Sequence, residues 1–380
     1  MKKEKTMRYV NILLILILLN SCSNSKKKLD KEKKETQSTF ILGADLSYIN
    51  ELEDCGAKYK NAKGEFDDPF KIFKDYGTNL VRVRIWHNPT WTNYSDYDDV
   101  KKTIQRAKKS GMKVLLDFHY SDTWTDPGKQ WIPAAWEEHI DNTPVLGKLL
   151  YDYTYHTLDS LAKANLLPDM VQVGNEMDAM ILQKDVLKWP IDWERNSHLI
   201  NMGIKAVRDI EKKENKNIDI ILHIAKPDNA ISWFKDAAAN GITDFDWIGL
   251  SYYPIWSKYK ISNVSEVFKT LINTHKKRLI VVETSYPFTL NNLDEAGNVL
   301  DEKCIIEGYP PTEEGQLKFL NDLKEQIKIA GGEGLVYWEP AWVSTSCKTL
   351  WSTGSHWDNA ILFRANGTPT KGMSFYTQKN

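Results

Sequence analysis

Two glutamates stand where apolar runs of strand length stop. Glu176 follows Asn175 after the run Met170-Val171-Gln172-Val173-Gly174, and Glu283 closes the run Leu279-Ile280-Val281-Val282. A pair of carboxyl groups can hydrolyse a glycosidic bond: one protonates the leaving oxygen while the other attacks the anomeric carbon or activates a water. Either Glu alone would read as a buried ion-pair partner or a surface acid at the end of a strand. The neighbours turn the pair toward chemistry. Asn175 is placed to hydrogen-bond a sugar 2-hydroxyl, a contact that strengthens as the ring flattens toward an oxocarbenium ion. Arg84 and Tyr253 are expected beside Glu283, holding it ionised, because donors to the charged form depress a carboxyl pKa. Trp338 offers a flat apolar face for a sugar ring. Glu176 is therefore assigned as acid/base and Glu283 as nucleophile, with Glu176 kept protonated by desolvation and by the charge of Glu283.

The elements that must position this pair are legible in the pattern. Eight apolar runs alternate with helical-period segments: Phe40 to Ala44, Leu80 to Ile85, Lys113 to Phe118, Met170 to Gly174, Ile218 to His223, Trp247 to Ser251, Leu279 to Glu283 and Gly334 to Trp338. Helices are expected between them, over Val100 to Ser110, Thr143 to Ala164, Trp193 to Lys213, Val264 to Lys276 and Glu313 to Ala330, several ending at Gly as left-handed caps do. Eight such repeats predict an α/β fold, a (β/α)8 TIM barrel in one domain. Each run is read as apolar through its body and as delivering polar groups at its C-terminal end. These are Asp45, Arg84 with Trp86-His87-Asn88, Asp117 with His119, Asn175-Glu176, His223, Tyr252-Tyr253, Glu283 and Trp338-Glu339. In such a barrel that end is the face where active sites lie. Of the 14 Trp residues, Trp86, Trp91, Trp124, Trp131, Trp136, Trp256, Trp338, Trp342, Trp351 and Trp357 fall in or beside the predicted loops of that face, where sugar rings could stack.

Composition bounds the partners. With 50 basic and 51 acidic residues the net charge is −1, and no basic block lies inside the folded part, which argues against nucleic acid. The N-terminus is basic, then apolar from Ile12 to Leu19, too short to span a bilayer and suited to a signal peptide. Leu19-Asn20-Ser21-Cys22 resembles a bacterial lipoprotein processing site, so Cys22 is expected to carry lipid. Residues 1–21 are thus read as signal peptide, 22–38 as a Lys-rich tether and 39–380 as the barrel. The expectation is an exported, lipid-anchored monomer in a Gram-negative outer membrane; Lys26-Lys27-Lys28 leaves periplasmic and outward display both open. Of Cys55, Cys304 and Cys347, one pair is expected to bond in an oxidising compartment; connectivity stays open, with Cys304–Cys347 taken as the working pair. The lack of CxxC or clustered His/Cys spacing argues against a catalytic transition metal.

Seven ordered segments carry a resemblance: Gly43-Ala44-Asp45-Leu46-Ser47-Tyr48, Val83-Arg84-Ile85-Trp86-His87-Asn88-Pro89, Leu116 to Gln130, Val171 to Glu176, Gly249 to Pro254, Val281 to Pro287 and Tyr337 to Trp342. Together, over about residues 40 to 370, they resemble glycoside hydrolase family 53. The resemblance implies a retaining endo-β-1,4-galactanase acting on (arabino)galactan, with no cofactor needed for the chemistry. Retention calls for carboxyl groups about 5 to 5.5 Å apart. It also implies substrate contacts at Asp45, Arg84, His87, Asn88, Asp117, His119, Trp124, Asn175, Tyr253 and Trp338. Some bacterial members hold a structural calcium, and Ser355 with Asp358 resembles half of that site. Asn291, Asn292, Asp294 and Asn298 form a loose set of further oxygens. One departure is Met177-Asp178-Ala179-Met180, where the family often has Ile-Asn or a similar pair followed by Gly. Two other readings stay in view. A retaining β-1,4-mannanase or glucanase would share the carboxyl pair, and a galactan-capture lipoprotein without catalysis would be expected to have lost a carboxylate or Arg84.

Overall fold

Eight parallel strands close into a barrel in sequence order: β1 (Ile41–Asp45), β2 (Leu80–Ile85), β3 (Lys113–Phe118), β4 (Met170–Val173), β5 (Asp219–Ile224), β6 (Trp247–Ser251), β7 (Arg278–Glu283) and β8 (Gly334–Tyr337), with β8 pairing back onto β1. The structure is a computed structural model and describes residues 39–377. The expected signal peptide, the expected tether and Cys22 lie outside the described residues, and no helix among the described residues is long and apolar enough to cross a membrane. The eight runs read from the sequence are these strands, with ends moved by a single residue.

Around the barrel run α1 (Ile49–Asp54), α2 (Pro69–Tyr76), α3 (Tyr97–Lys109), α4 (Thr143–Lys163), α5 (Trp193–Glu214), α6 (Pro227–Ala239), α7 (Val264–His275) and α8 (Glu313–Ala330). Helix α3 shows why the local sequence suffices. Asp96 accepts the Asp99 N–H at its start, acidic Asp98 and Asp99 sit in the first turn, and Arg106, Lys108 and Lys109 fill the last. Cap and charges complement the helix dipole, while Val100, Ile104 and Ala107 make the buried stripe. Helices α1, α2 and α6 were not among the segments read. α1 has only six residues, too few to display a helical period, and α6 opens on Pro227, a residue that sits well only in a first turn.

Inside the barrel, every strand contributes to an apolar layer, with Ile41, Leu80, Leu115, Met170, Ile221, Trp247 and Val336 from seven strands and Ile280 with Val282 from β7. Side chains two positions further along each strand point the same way, so this layer fixes which residues stand above it. On β2 those are Arg82 and then Arg84; on β3, Asp117; on β4, Gln172; on β5, His223. Strand β7 would carry Glu283 to the opposite side from Val282. Its pairing with β6 shifts by one residue there, with Leu250 opposite Val281 but Ser251 opposite Glu283, which brings Glu283 inward.

The disulfide joins Cys55 to Cys347, and Cys304 is free and buried. The expected Cys304–Cys347 pairing is thus corrected. Barrel closure explains it: β1 and β8 are neighbours, so the segment after α1 meets the loop after β8 across a separation of 292 residues.

Candidate active site

A buried cation organises one side of the barrel's C-terminal mouth. Arg82 is 1 % exposed and makes three ion pairs, through Nη1 to Asp45 at 2.7 Å and through Nη2 to Asp117 and Glu283 at 2.8 Å each. It also donates to Asn175 Oδ1 at 2.8 Å and to Gln172 Oε1 at 3.3 Å. The Tyr253 hydroxyl donates to the other Glu283 oxygen at 3.5 Å. Burial pushes the Glu283 carboxyl above its ordinary range, and the Arg82 charge pulls it part of the way back.

Glu176 has a different setting. Its backbone is left-handed at φ 45°, following Gly174 at φ 86°, where a Cβ would lie 2.2 Å from Met177 Sδ. A non-glycine residue in that region is strained, and such strain collects at functional sites. The carboxyl accepts from Ser251 Oγ at 2.7 Å, and Gln130 Nε2 donates to the Asn175 and Glu176 carbonyls at 3.0 Å each. Among the described residues no cation pairs with it. Burial, then the charge of Glu283, drives its carboxyl well above the ordinary range. One ligand-type atom from each of Glu176, His223 and Glu283 lies within 4.8 Å of the others, so the two carboxyl groups face each other at close range. The His223 ring is already hydrogen-bonded at both nitrogens.

Above the pair opens a cavity of about 690 Å³, a volume typical of a small-molecule or sugar site. Trp124, Asn175, Glu176, Tyr253, Glu283 and Trp338 line it, together with Trp256, Trp342, Trp351 and Trp357. Trp338 meets Trp124, Trp342 and Trp357 at tilted or edge-on angles, so the rings form a fixed aromatic wall.

The remaining expected residues lie beneath or beside this cavity. Asp45 and Asp117 anchor Arg82, and His119 is buried, its Nε2 3.1 Å from Asp117 and its Nδ1 accepting the Thr125 N–H. Burial lowers the His119 pKa, against the pull of Asp117. Arg84 does not reach Glu283: it pairs with Glu339 at 2.7 Å and lies against the Tyr48, Trp86 and Trp124 rings. The arginine beside the nucleophile candidate is Arg82, one strand repeat deeper. His87 faces Asp122, Trp136 and Tyr153, and exposed Asn88 gives its backbone N–H to Asp122; neither lines the cavity. Trp86 and Trp136 are likewise buried packing residues. Ser355 and Asp358 are buried where the loops after β7 and β8 meet: Ser355 N donates to Asp294, and Asp358 accepts from Leu293 N and Ser344 Oγ.

The reading of each strand as apolar through its body missed Arg82 and Gln172. Period two held the signal, because Leu80, Arg82 and Arg84 share one face of a strand whose first residue is core. Ser251 was also missed, since a lone Ser in an apolar run carries no chemical signature.

A family model described as glycosyl hydrolase family 53 matches residues 41–376. The chain belongs to glycosyl hydrolase family 53. Within it, an arabinogalactan endo-beta-1,4-galactanase of Cellvibrio japonicus is 56% identical over 328 residues, covering 86% of this chain and 87% of the relative. An endo-beta-1,4-galactanase of Bacillus subtilis is 34% identical, covering 91% and 87%. A solved family 53 catalytic domain from Ignisphaera aggregans superposes with a TM-score of 0.81 at 31% identity, covering 89% of this chain and 95% of that one. The departure at Met177 to Met180 has a structural use in this family 53 chain. Met177 is buried against Gly174, and Asp178 accepts from Ala225 N and Asn229 Nδ2, tying the end of β4 to the start of α6.

Proposed function

We propose that this family 53 chain is a retaining endo-β-1,4-galactanase that cleaves internal bonds of (arabino)galactan by double displacement. One observation carries the mechanism: two carboxyl groups meet within 4.8 Å at the mouth of the barrel, one ion-paired to Arg82 and the other held by neutral donors. An inverting pair stands roughly 6.5–9.5 Å apart to admit a water, so this spacing favours direct attack. Glu283 attacks the anomeric carbon while Glu176 passes its proton to the leaving glycosidic oxygen. Glu176 then takes a proton from the water that displaces Glu283 from the same carbon, and the configuration returns to its starting hand. Galactan as the polymer rests on the names of the relatives, and the aromatic wall suits the CH faces of a sugar chain.

Release of reducing ends from β-1,4-galactan, β-1,4-mannan and β-1,4-glucan tests this directly. Galactan alone should be degraded, and Glu283→Gln should reduce the rate at least a thousandfold, in keeping with loss of a covalent nucleophile (roughly 10³ or more). Equal rates on mannan, or an active Glu283→Gln, would sink the reading.

Exported, monomeric and lipid-anchored through Cys22 is the setting that goes with it; the Cys55–Cys347 bond suits an oxidising compartment. A structural calcium is proposed between the loops after β7 and β8. Asp358 Oδ1 and Asn298 Oδ1 are buried there with no hydrogen-bond partner, and hard oxygens without donors suit such an ion. Asp358 and Asn298 would hold it with Ser355 and Asp294 alongside. Dialysis against chelator should lower the unfolding temperature and added calcium should restore it.

A further inference from the structure

Ser251, which lines the cavity, and His223 beneath it form a hydrogen-bonded chain that ends on Glu176. His223 is fully buried in β5, with Nε2 2.9 Å from Ser251 Oγ, and Ser251 Oγ is 2.7 Å from Glu176 Oε1. On the other side of the ring, Nδ1 meets Gln172 Nε2 at 3.1 Å, the Glu176 backbone N–H at 3.4 Å and Asn175 Oδ1 at 2.9 Å.

The direction of this chain follows from counting donors. The Glu176 backbone N–H presents its hydrogen to Nδ1, so Nδ1 serves as an acceptor and the ring carries its proton on Nε2. Asn175 Oδ1 is supplied by Arg82 Nη2 at 2.8 Å and Gln172 Nε2 at 3.0 Å, the other Gln172 hydrogen going to Asp117 Oδ1 at 2.6 Å, so it does not need a third donor. With Nε2–H donating to Ser251, the Ser251 hydroxyl has its own hydrogen free for Glu176 Oε1. Burial and the Arg82 charge hold His223 well below its usual pKa, so the ring stays neutral and the direction is not reversed by protonation.

We propose that Ser251, oriented by the Nε2–H tautomer of His223, reserves Oε1 of Glu176 as a hydrogen-bond acceptor, so that the proton delivered to the leaving group rides on Oε2. Glu176 lines the cavity, and Oε2 has no protein partner among the described residues. In the reverse direction Glu176 would donate to Ser251, parking its proton away from the substrate. Ser251 and His223 are thus positioning residues that act through Glu176. The inference rests on the acid/base reading of Glu176 given above.

The test is Ser251→Ala assayed on two substrates: galactan, whose alkoxide leaving group needs a proton, and a 2,4-dinitrophenyl β-galactooligosaccharide, whose phenolate does not. Pre-steady-state release of dinitrophenolate isolates the first step. The variant should lose roughly tenfold on galactan, a fraction of what general acid catalysis supplies, and stay within about twofold on the dinitrophenyl substrate. Because the readout is a ratio within one protein preparation, partial unfolding cancels. Removing a donor to the ionised carboxyl should also move the alkaline limb of kcat/KM upward. Glu283, Asp178 and Asp126 are the charges that otherwise raise this group, with Lys226 on the cavity wall nearby, and all remain in place. His223→Gln, whose amide can still donate to Ser251, should retain more galactan activity than His223→Leu. Equal losses on both substrates with an unmoved alkaline limb would overturn the inference. If Glu176→Ala itself shows no dependence on the leaving group, the acid/base assignment fails instead, so the two failures are distinguishable.

Discussion

The two facing carboxyls stand in halves of the barrel that are built differently. Glu283 sits on a charged platform: one arginine, buried and shared with Asp45 and Asp117, with Asn175 and Gln172 filling its remaining donors. Glu176 sits among neutral groups, a serine hydroxyl on its side chain and a glutamine amide on its carbonyl. Burial raises both, but only Glu283 has a cation to offset it. The difference assigns the protons. At a pH where one proton is shared by the pair, it resides on Glu176, and Glu283 is the carboxylate. Nothing in the identity of the two side chains distinguishes them; the surroundings do.

Swapping or stripping those surroundings shows which half does what. After Glu283→Gln, the largest loss is expected for Glu176→Ala, about 10²–10⁴-fold on galactan, with added azide restoring turnover of a dinitrophenyl substrate and giving the β-galactosyl azide by nuclear magnetic resonance. An α-azide would overturn retention. Arg82→Met should follow. It leaves Asp45, Asp117 and Glu283 buried without their partner, costing roughly 3–5 kcal/mol of stability in urea denaturation. It should also shift the acid limb of activity to higher pH, because the group that lowered the Glu283 pKa is gone. Unchanged stability would mean that the platform is not what holds the barrel mouth. Tyr253→Phe removes one long contact, and a loss of about 1 kcal/mol, a factor of roughly five in kcat/KM, is expected. The wild-type pH profile is the mildest probe. Glu283 works ionised, so activity falls as pH drops through its raised pKa; Glu176 works protonated, so activity falls as pH rises through its own. Both limbs should lie above the ordinary carboxylate range, read from initial rates across pH.

Much of the site was legible because a parallel barrel converts chain position into spatial position. Strand ends in sequence become one face in space, so Asn175-Glu176, Tyr253, Glu283 and Trp338 could be placed together before any coordinates. The aromatic wall was legible for the same reason, though Trp86 and Trp136 turned out to pack under the loops. What failed was reach within a strand. Arg84 and Arg82 point into the same interior, and only the depth of the apolar layer decides which one meets Glu283.

The sequence by itself determined the eight alternating units, the carboxyl pair, its Asn and Tyr neighbours and the family, because hydrophobic period and ordered motifs are local properties of the chain. Tertiary structure alone decided that Arg82 is the cation on Glu283, that a shift in the β6–β7 register turns Glu283 inward, and that Cys55 meets Cys347. Each of these depends on barrel closure and shear, which bring residues from different strands to one level. No single strand's sequence contains that level.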